Sequence, residues 1–236
     1  MKIKYLVVLL LIVFFSNKII SQVVKSFENS NYYGAIYSQS ANMRNVIDLS
    51  TVKGSPYENE IFKAGSIINE LEKIPQTYLI RYNVYNDVIE LREDKSSSKI
   101  SGLIKSSSIY AIISNKEYHY EEFVDENSEN NNGYFILLKK GINSNLFLRK
   151  TKKFKEKVEA KDSYHKETPA SFIDLKSYYI KKDKTLLPVS TKKKEFLLQF
   201  PEKENELKKY LKAEKINLKS EKDVVKLFTY YDSLLK

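Results

Sequence analysis

The sequence predicts an α+β fold, with an antiparallel β-rich body (a sheet or partly closed barrel) followed by a short C-terminal helical segment. Three observations carry this reading. Between about residues 57 and 157, runs rich in aromatic and β-branched residues recur at roughly ten-residue spacing, with turn-formers between them. No helical period separates these runs, so neighbouring strands connect directly and run antiparallel. Past Thr191 the apolar period lengthens to that of a helix.

The elements follow in order. Lys2 and Lys4 precede an unbroken apolar run over residues 5–15, and Ser21 stands just before Gln22. A basic start, a short apolar core and a small residue at the end match a secretory signal peptide over 1–21. A membrane-spanning helix needs about 20 apolar residues, and Lys18 interrupts this run well short of that. The alternative is an uncleaved N-terminal anchor. No cysteine follows the core, so lipidation of the mature N-terminus is excluded, and the expected mature chain is exported, soluble and not membrane-spanning. Residues 22–53 form a lead segment, 54–190 the β-rich domain, and 191–236 C-terminal helices packed on it.

Within the β-rich part, residues 78–84 and 87–92 read as a hairpin closed near Asn86-Asp87. Residues 109–113, 117–124, 134–139 and 145–157 are further strands. Turn-formers sit at Gly54-Ser55-Pro56, 94–98, 125–133 and 141–143. At the C-terminal end, residues 192–200 predict a helix with Ser190 as its N-cap, closed before Pro201. Pro201 opens a second helix, with Glu202 and Glu204 in its first turn and Leu207, Tyr210 and Leu211 on one face. Ser220-Glu221-Lys222-Asp223 has the form of a capping signal. After it, Val224, Leu227, Phe228, Tyr231, Leu234 and Leu235 make an apolar stripe that needs the sheet, the preceding helix or another protein as a partner.

The 236 residues carry 40 Lys+Arg against 30 Asp+Glu, and this excess is uneven. Residues 22–141 hold 13 basic and 16 acidic side chains, while residues 142–236 hold 24 and 14. Only Arg44, Arg81, Arg92 and Arg149 are arginine, the residue that phosphate and nucleic-acid sites favour for its bidentate fork. The lysine excess therefore reads as compositional bias, and no nucleic-acid partner is expected. Zero cysteine excludes disulfides, Cys-ligated metal and a thiol nucleophile. The six glycines fall in no phosphate-binding arrangement. No GxSxG or HExxH motif is present.

Candidate sites are few. Glu117, His119 and Glu121 alternate onto one strand face and offer ligand or acid–base chemistry, but no further ligand is spaced nearby, and a solvated strand face is the favoured reading. His165 lies in a polar stretch before Pro169 that reads as a linker. The acidic 125–133 loop lacks the spacing of a calcium loop. Arg149, Lys153, Lys155 and Lys157 share one face of the 145–157 strand and form a possible contact for an anionic surface, with a lysine-protected strand edge as the competing reading. Lys192-Lys193-Lys194 sits where a helix starts. Tyr32-Tyr33, Tyr178-Tyr179 and Tyr230-Tyr231 could stack on sugars, though a core or rim role suits them better. No catalytic residue, cofactor or metal is assigned.

Several stretches carry a resemblance. They are Gly54-Ser55-Pro56-Tyr57-Glu58-Asn59-Glu60-Ile61-Phe62, then Arg81-Tyr82-Asn83-Val84-Tyr85-Asn86-Asp87-Val88-Ile89-Glu90, Gly133-Tyr134-Phe135 with Gly141, and the end of the chain through Phe228-Thr229-Tyr230-Tyr231-Asp232. Together they resemble a family of secreted, functionally unassigned proteins of Bacteroidota-type Gram-negative bacteria. The resemblance implies a periplasmic or cell-envelope protein with a β-rich body and a helical C-terminus, and brings no catalytic residues with it. The expectation is an exported envelope binding or accessory protein that holds an apolar or anionic ligand or an envelope component. The alternatives are a hydrolase with a spatially assembled site and a structural subunit that docks through its C-terminal helix.

Overall fold

The computed structural model describes residues 51–235 except 72, 99, 126–128, 161–165 and 183. The expected signal peptide, nearly all of the expected lead segment, Tyr32-Tyr33 and His165 lie outside the described residues. Ten strands form one antiparallel sheet: β1 Lys63–Asn69, β2 Gln76–Asn83, β3 Val88–Arg92, β4 Ser101–Gly102, β5 Ile109–Ile113, β6 Lys116–Val124, β7 Asn130–Lys140, β8 Asn145–Lys155, β9 Ser171–Lys182 and β10 Thr185–Val189. Their order across the sheet is β10-β9-β8-β7-β6-β5-β1-β2-β3-β4. The sheet is open, and three short helices follow it: α1 Lys193–Leu198, α2 Glu204–Ala213 and α3 Glu221–Ser233.

Local chemistry sets the turns. Ser114 and Asn115 both take positive φ, 50° and 65°, which is the two-residue reversal that matches strand twist between β5 and β6. Asp87 closes the β2–β3 turn at φ 53°, a conformation aspartate tolerates, and the Asn83 side chain accepts from the Asn86 N–H at 3.1 Å.

The two halves of the sheet curl toward opposite faces. On one face, Tyr82 of β2 meets the rings of Tyr118 in β6 and Tyr134 in β7, at 5.5 and 6.0 Å between centroids. Those strands stand several places apart in the sheet, so β1–β3 fold over β6 and β7. On the other face β10 lies over β6, and Phe123, Phe135, Phe147, Tyr179 and Leu186 fill the enclosed space with edge-to-face rings. The first face continues under the helices. Phe196, Leu197, Leu207, Leu211, Val224, Leu227, Phe228 and Tyr231 join Leu146, Leu148, Tyr178 and Ile180 in one core. The C-terminal apolar stripe is thus spent on its own sheet, leaving a hollow of about 20 Å³ with room for one water.

One irregularity interrupts the sheet. Pairing between β7 and β8 covers only Ile136 to Lys140 and Asn145 to Leu148. Beyond that the strands part, β7 staying on β6 and β8 on β9. The β2–β3 turn enters the gap, where Asp87 accepts the Tyr134 N–H at 3.2 Å and the Tyr82 hydroxyl at 2.7 Å. Gly133 leaves the room this turn uses: a Cβ would stand 2.7 Å from Asp87 Oδ2 and 3.0 Å from the Arg149 guanidinium, so those side chains would have to shift.

Some boundaries differ from expectation. The strand predicted over 145–157 ends at Lys155, and the 125–133 turn region gives Asn130 to Gly133 to β7. Ser190 is not the N-cap of α1, which starts after Lys192. Its hydroxyl instead accepts from the Lys192 N–H at 3.1 Å and donates to Glu195 at 2.8 Å, two residues before the N-cap. Ser220 does cap α3, accepting the Asp223 N–H at 3.4 Å.

Candidate functional site

Antiparallel register assembles a groove at one mouth of the folded-over face. Lys63 stands opposite Ile80, Gly65 opposite Ile113, and Ile113 opposite Lys116. Side chains alternate along each strand, so Lys63, Ile80, Tyr82, Ile113, Lys116 and Tyr118 all face the same side. Before β1 begins, residues 57–62 leave the line of the strand. Tyr57 bridges to Asn83 and the Glu58 N–H donates to the Tyr82 carbonyl at 3.0 Å, after which the chain bows away and returns at Lys63. The bow and the Ser114-Asn115 turn leave about 180 Å³ between them, lined by Glu58, Asn59, Ile61, Lys63 and the residues of the floor.

The bow is fastened on its outer side by Arg81. Its guanidinium donates to Glu90 at 2.7 Å, to the Tyr57 hydroxyl at 2.8 Å and to the Glu60 carbonyl at 3.1 Å. It also lies over the rings of Tyr57 and Phe62, 3.8 and 4.3 Å from their centres. Arg81 is therefore a fastener, with all three of its guanidinium nitrogens engaged.

On the groove side Glu58 gathers three donors: Lys150 at 2.5 Å, the Tyr118 hydroxyl at 2.7 Å and Lys116 at 3.2 Å. Burial pushes the Glu58 carboxyl up, but hydrogen bonds from Lys150 and Tyr118 and the charges of Lys150 and Lys116 outweigh it, leaving its pKa below the ordinary value. Burial and the Glu58 charge push the Tyr118 phenol well above its usual range, and burial with Asp87 does the same to Tyr82. The carboxylate is driven down and the phenols up. Every displaced group in the groove moves away from neutral pH, the reverse of what proton-transfer catalysis at pH 7 needs.

The residues singled out by sequence go to separate places. Arg149 is turned inward, with its guanidinium 4.1 Å from the centre of the Phe123 ring and 3.9 Å from Asp87, and its side chain is 17 % exposed. Lys153 and Lys155 are exposed on the same face of β8, beside Ile173 of β9, which is 42 % exposed. Lys157 lies past the strand end and pairs with Glu159 and Glu167 at 3.1 and 3.0 Å. The structure leaves two exposed lysines of that row together.

His119 stacks on Tyr110 at 4.8 Å, meets the edge of Phe147 and contacts Glu117 at 3.1 Å. Glu121 is occupied by Lys181 at 2.6 Å. Among the described residues no three His, Asp or Glu side chains come together as metal ligands. Tyr178 and Tyr179 are buried on opposite faces, Tyr230 stacks on Tyr210, and Tyr231 packs on Phe200.

Sequence reasoning missed Glu58 and Lys116 as site residues. The only signal was that the Gly54 to Phe62 and Arg81 to Glu90 stretches stood out together, and these are the segments that meet at the groove. No protein-family model, curated protein or solved structure matches the chain.

Proposed function

We propose that this chain is an exported cell-envelope protein that works by binding, with the groove between Glu58, Lys63 and Lys116 as its ligand site. The observation that carries the reading is the state of Glu58 and its neighbours in the groove. Glu58 is paired with Lys150, Tyr118 and Lys116, and Glu58, Tyr118 and Tyr82 are all displaced away from neutral pH, a character suited to holding a ligand rather than to moving protons. The rest of the fold supports it. Both faces of the sheet are filled by side chains, and the apolar hollow under the helices is the size of one water, so an apolar ligand has no cavity there. The basic, apolar leader over 1–21 supports export, and the resemblance to secreted Bacteroidota-type proteins supports an envelope location.

The test is to isolate the full-length gene product from its own envelope fraction and weigh it intact under native conditions. The reading predicts a chain beginning near Gln22 that carries a small-molecule adduct. A chain retaining Met1 in the cytoplasm, or one free of any adduct at every stage of gentle isolation, contradicts it.

A further inference from the structure

We infer that the groove takes a small amphipathic carboxylate, its head held between Lys63 and Lys116 and its short aliphatic body laid on Ile80 and Ile113. The inference rests on the binding reading above and specifies its ligand.

Charge selects the head. Among the described residues Glu58 is the one acidic residue lining the groove, and it is engaged by Lys150, Tyr118 and Lys116. Against that single negative charge stand Lys63, Lys116 and the adjoining Lys150, while the charge of Arg81 is matched by Glu90. The site therefore keeps an excess of positive charge and disfavours cations. Lys116 is the looser of the two ammonium partners of Glu58, at 3.2 Å against 2.5 Å for Lys150, and its side chain is 45 % exposed. It can turn to an incoming anion while Lys150 and Tyr118 still satisfy Glu58. Lys63 is exposed and has no ion pair with any described carboxylate.

Shape selects the body. Behind the two lysines the floor is Ile80 and Ile113, both buried, brought close by Gly65, where a Cβ would stand 3.0 Å from Ile80 Cδ1. Over the groove stands Ile61, which is 72 % exposed although it lines a cavity. An aliphatic ligand lying on Ile80 would cover that side chain and take its own methylenes out of water. The volume of about 180 Å³ is well under that of sites for drug-sized molecules and suits a ligand of roughly six to ten heavy atoms.

The experiment is a calorimetric titration of the exported, processed chain with sodium hexanoate, with acetate, hexan-1-ol and hexylammonium as comparators. Hexanoate should bind with a Kd on the order of 0.1–1 mM, and acetate at least about tenfold more weakly. Added salt should weaken hexanoate binding, because an exposed ion pair is screened. The double variant Lys63→Gln/Lys116→Gln should weaken it at least about tenfold with an unchanged Tm, since both side chains reach solvent. Ile61→Ser should weaken hexanoate and leave acetate unchanged. Equal or tighter binding of hexan-1-ol or hexylammonium, or full affinity in the double lysine variant, overturns the carboxylate assignment while the binding reading stands. Silence of all four probes also overturns the assignment, and combined with an adduct-free protein from the envelope it overturns the binding reading too.

Discussion

Glu58 is held by two lysines and a phenol, so removing its charge should have two separable effects. Glu58→Gln leaves Lys150 and Tyr118 in a half-buried place without their anion, at a cost of about 2 kcal/mol in urea unfolding at pH 7. The second effect is on acid sensitivity. The folded-state pKa of Glu58 lies below its ordinary value of 4.5, so its contribution is fully present above that value and is lost as pH falls through the lower folded value. Unfolding midpoints from pH 7 down to pH 3 should therefore fall less steeply in the Gln variant than in the parent, and parallel profiles would show that Glu58 does not carry the linkage. None of this was legible locally. Glu58 and Lys150 are 92 residues apart, and Glu58 follows the Gly54-Ser55-Pro56 turn-formers in a stretch assigned to no particular strand. Arg149 shows the opposite difficulty. Its strand parity with Lys153 and Lys155 was readable, but that Phe123 and Asp87 would close over it depends on the curl of the sheet, which no local pattern encodes.

At the scale of elements, α3 both covers the sheet and locks a hairpin. Asp232, buried in its last turn, accepts the N–H groups of Ile142 and Asn143 at 2.7 and 3.2 Å, and these donors offset the unfavourable placing of a carboxylate at a helix C-terminus. Asp232→Ala should cost about 1–3 kcal/mol and selectively speed hydrogen exchange at those two amides. Uniform exchange changes across the sheet would contradict the local role. Ending the chain after Lys219 removes Val224, Leu227, Phe228 and Tyr231 from the shared core, so circular dichroism should report loss of the β-body and not merely of the helix. The capping signal at Ser220, the stripe after it and the turn at Asn86-Asp87 could all be read, because caps and tight turns are chemistry within four residues. β9 went unnamed for a physical reason. Tyr178, Tyr179 and Ile180 are buried in succession, on both faces of the sheet, so the period of two that marks a strand is erased there.

Taken as a whole molecule, the chain spends its apolar residues on two opposite faces of one twisted sheet, and one of those cores includes the helices. Sheet and helices should therefore melt in a single transition by near- and far-ultraviolet circular dichroism, and separate midpoints would contradict a common core. Phe135 is fully buried among Phe123, Phe147 and Tyr179, and Phe135→Ala should cost about 3–5 kcal/mol without altering the groove on the other face. The fold class was legible from strand spacing and the late switch to helical period. The parting of β7 from β8 and the turn that fills it were not, because they join segments nearly fifty residues apart. The groove likewise joins distant segments, the 57–62 bow and the Ser114-Asn115 turn, and so a site with ordinary residues and no motif escapes sequence reading.

The central claim is that ligand chemistry belongs to the mouth between the bow at Glu58 and the Ser114-Asn115 turn. Backbone amide NMR of the protein titrated with hexanoate tests it most directly. Shifts should centre on Ile61, Lys63, Ile80, Ile113, Ser114 and Lys116 and saturate together. Shifts centred instead on Tyr178, Phe196 and Phe228 beneath the helices, or no saturating shifts at all, would contradict it.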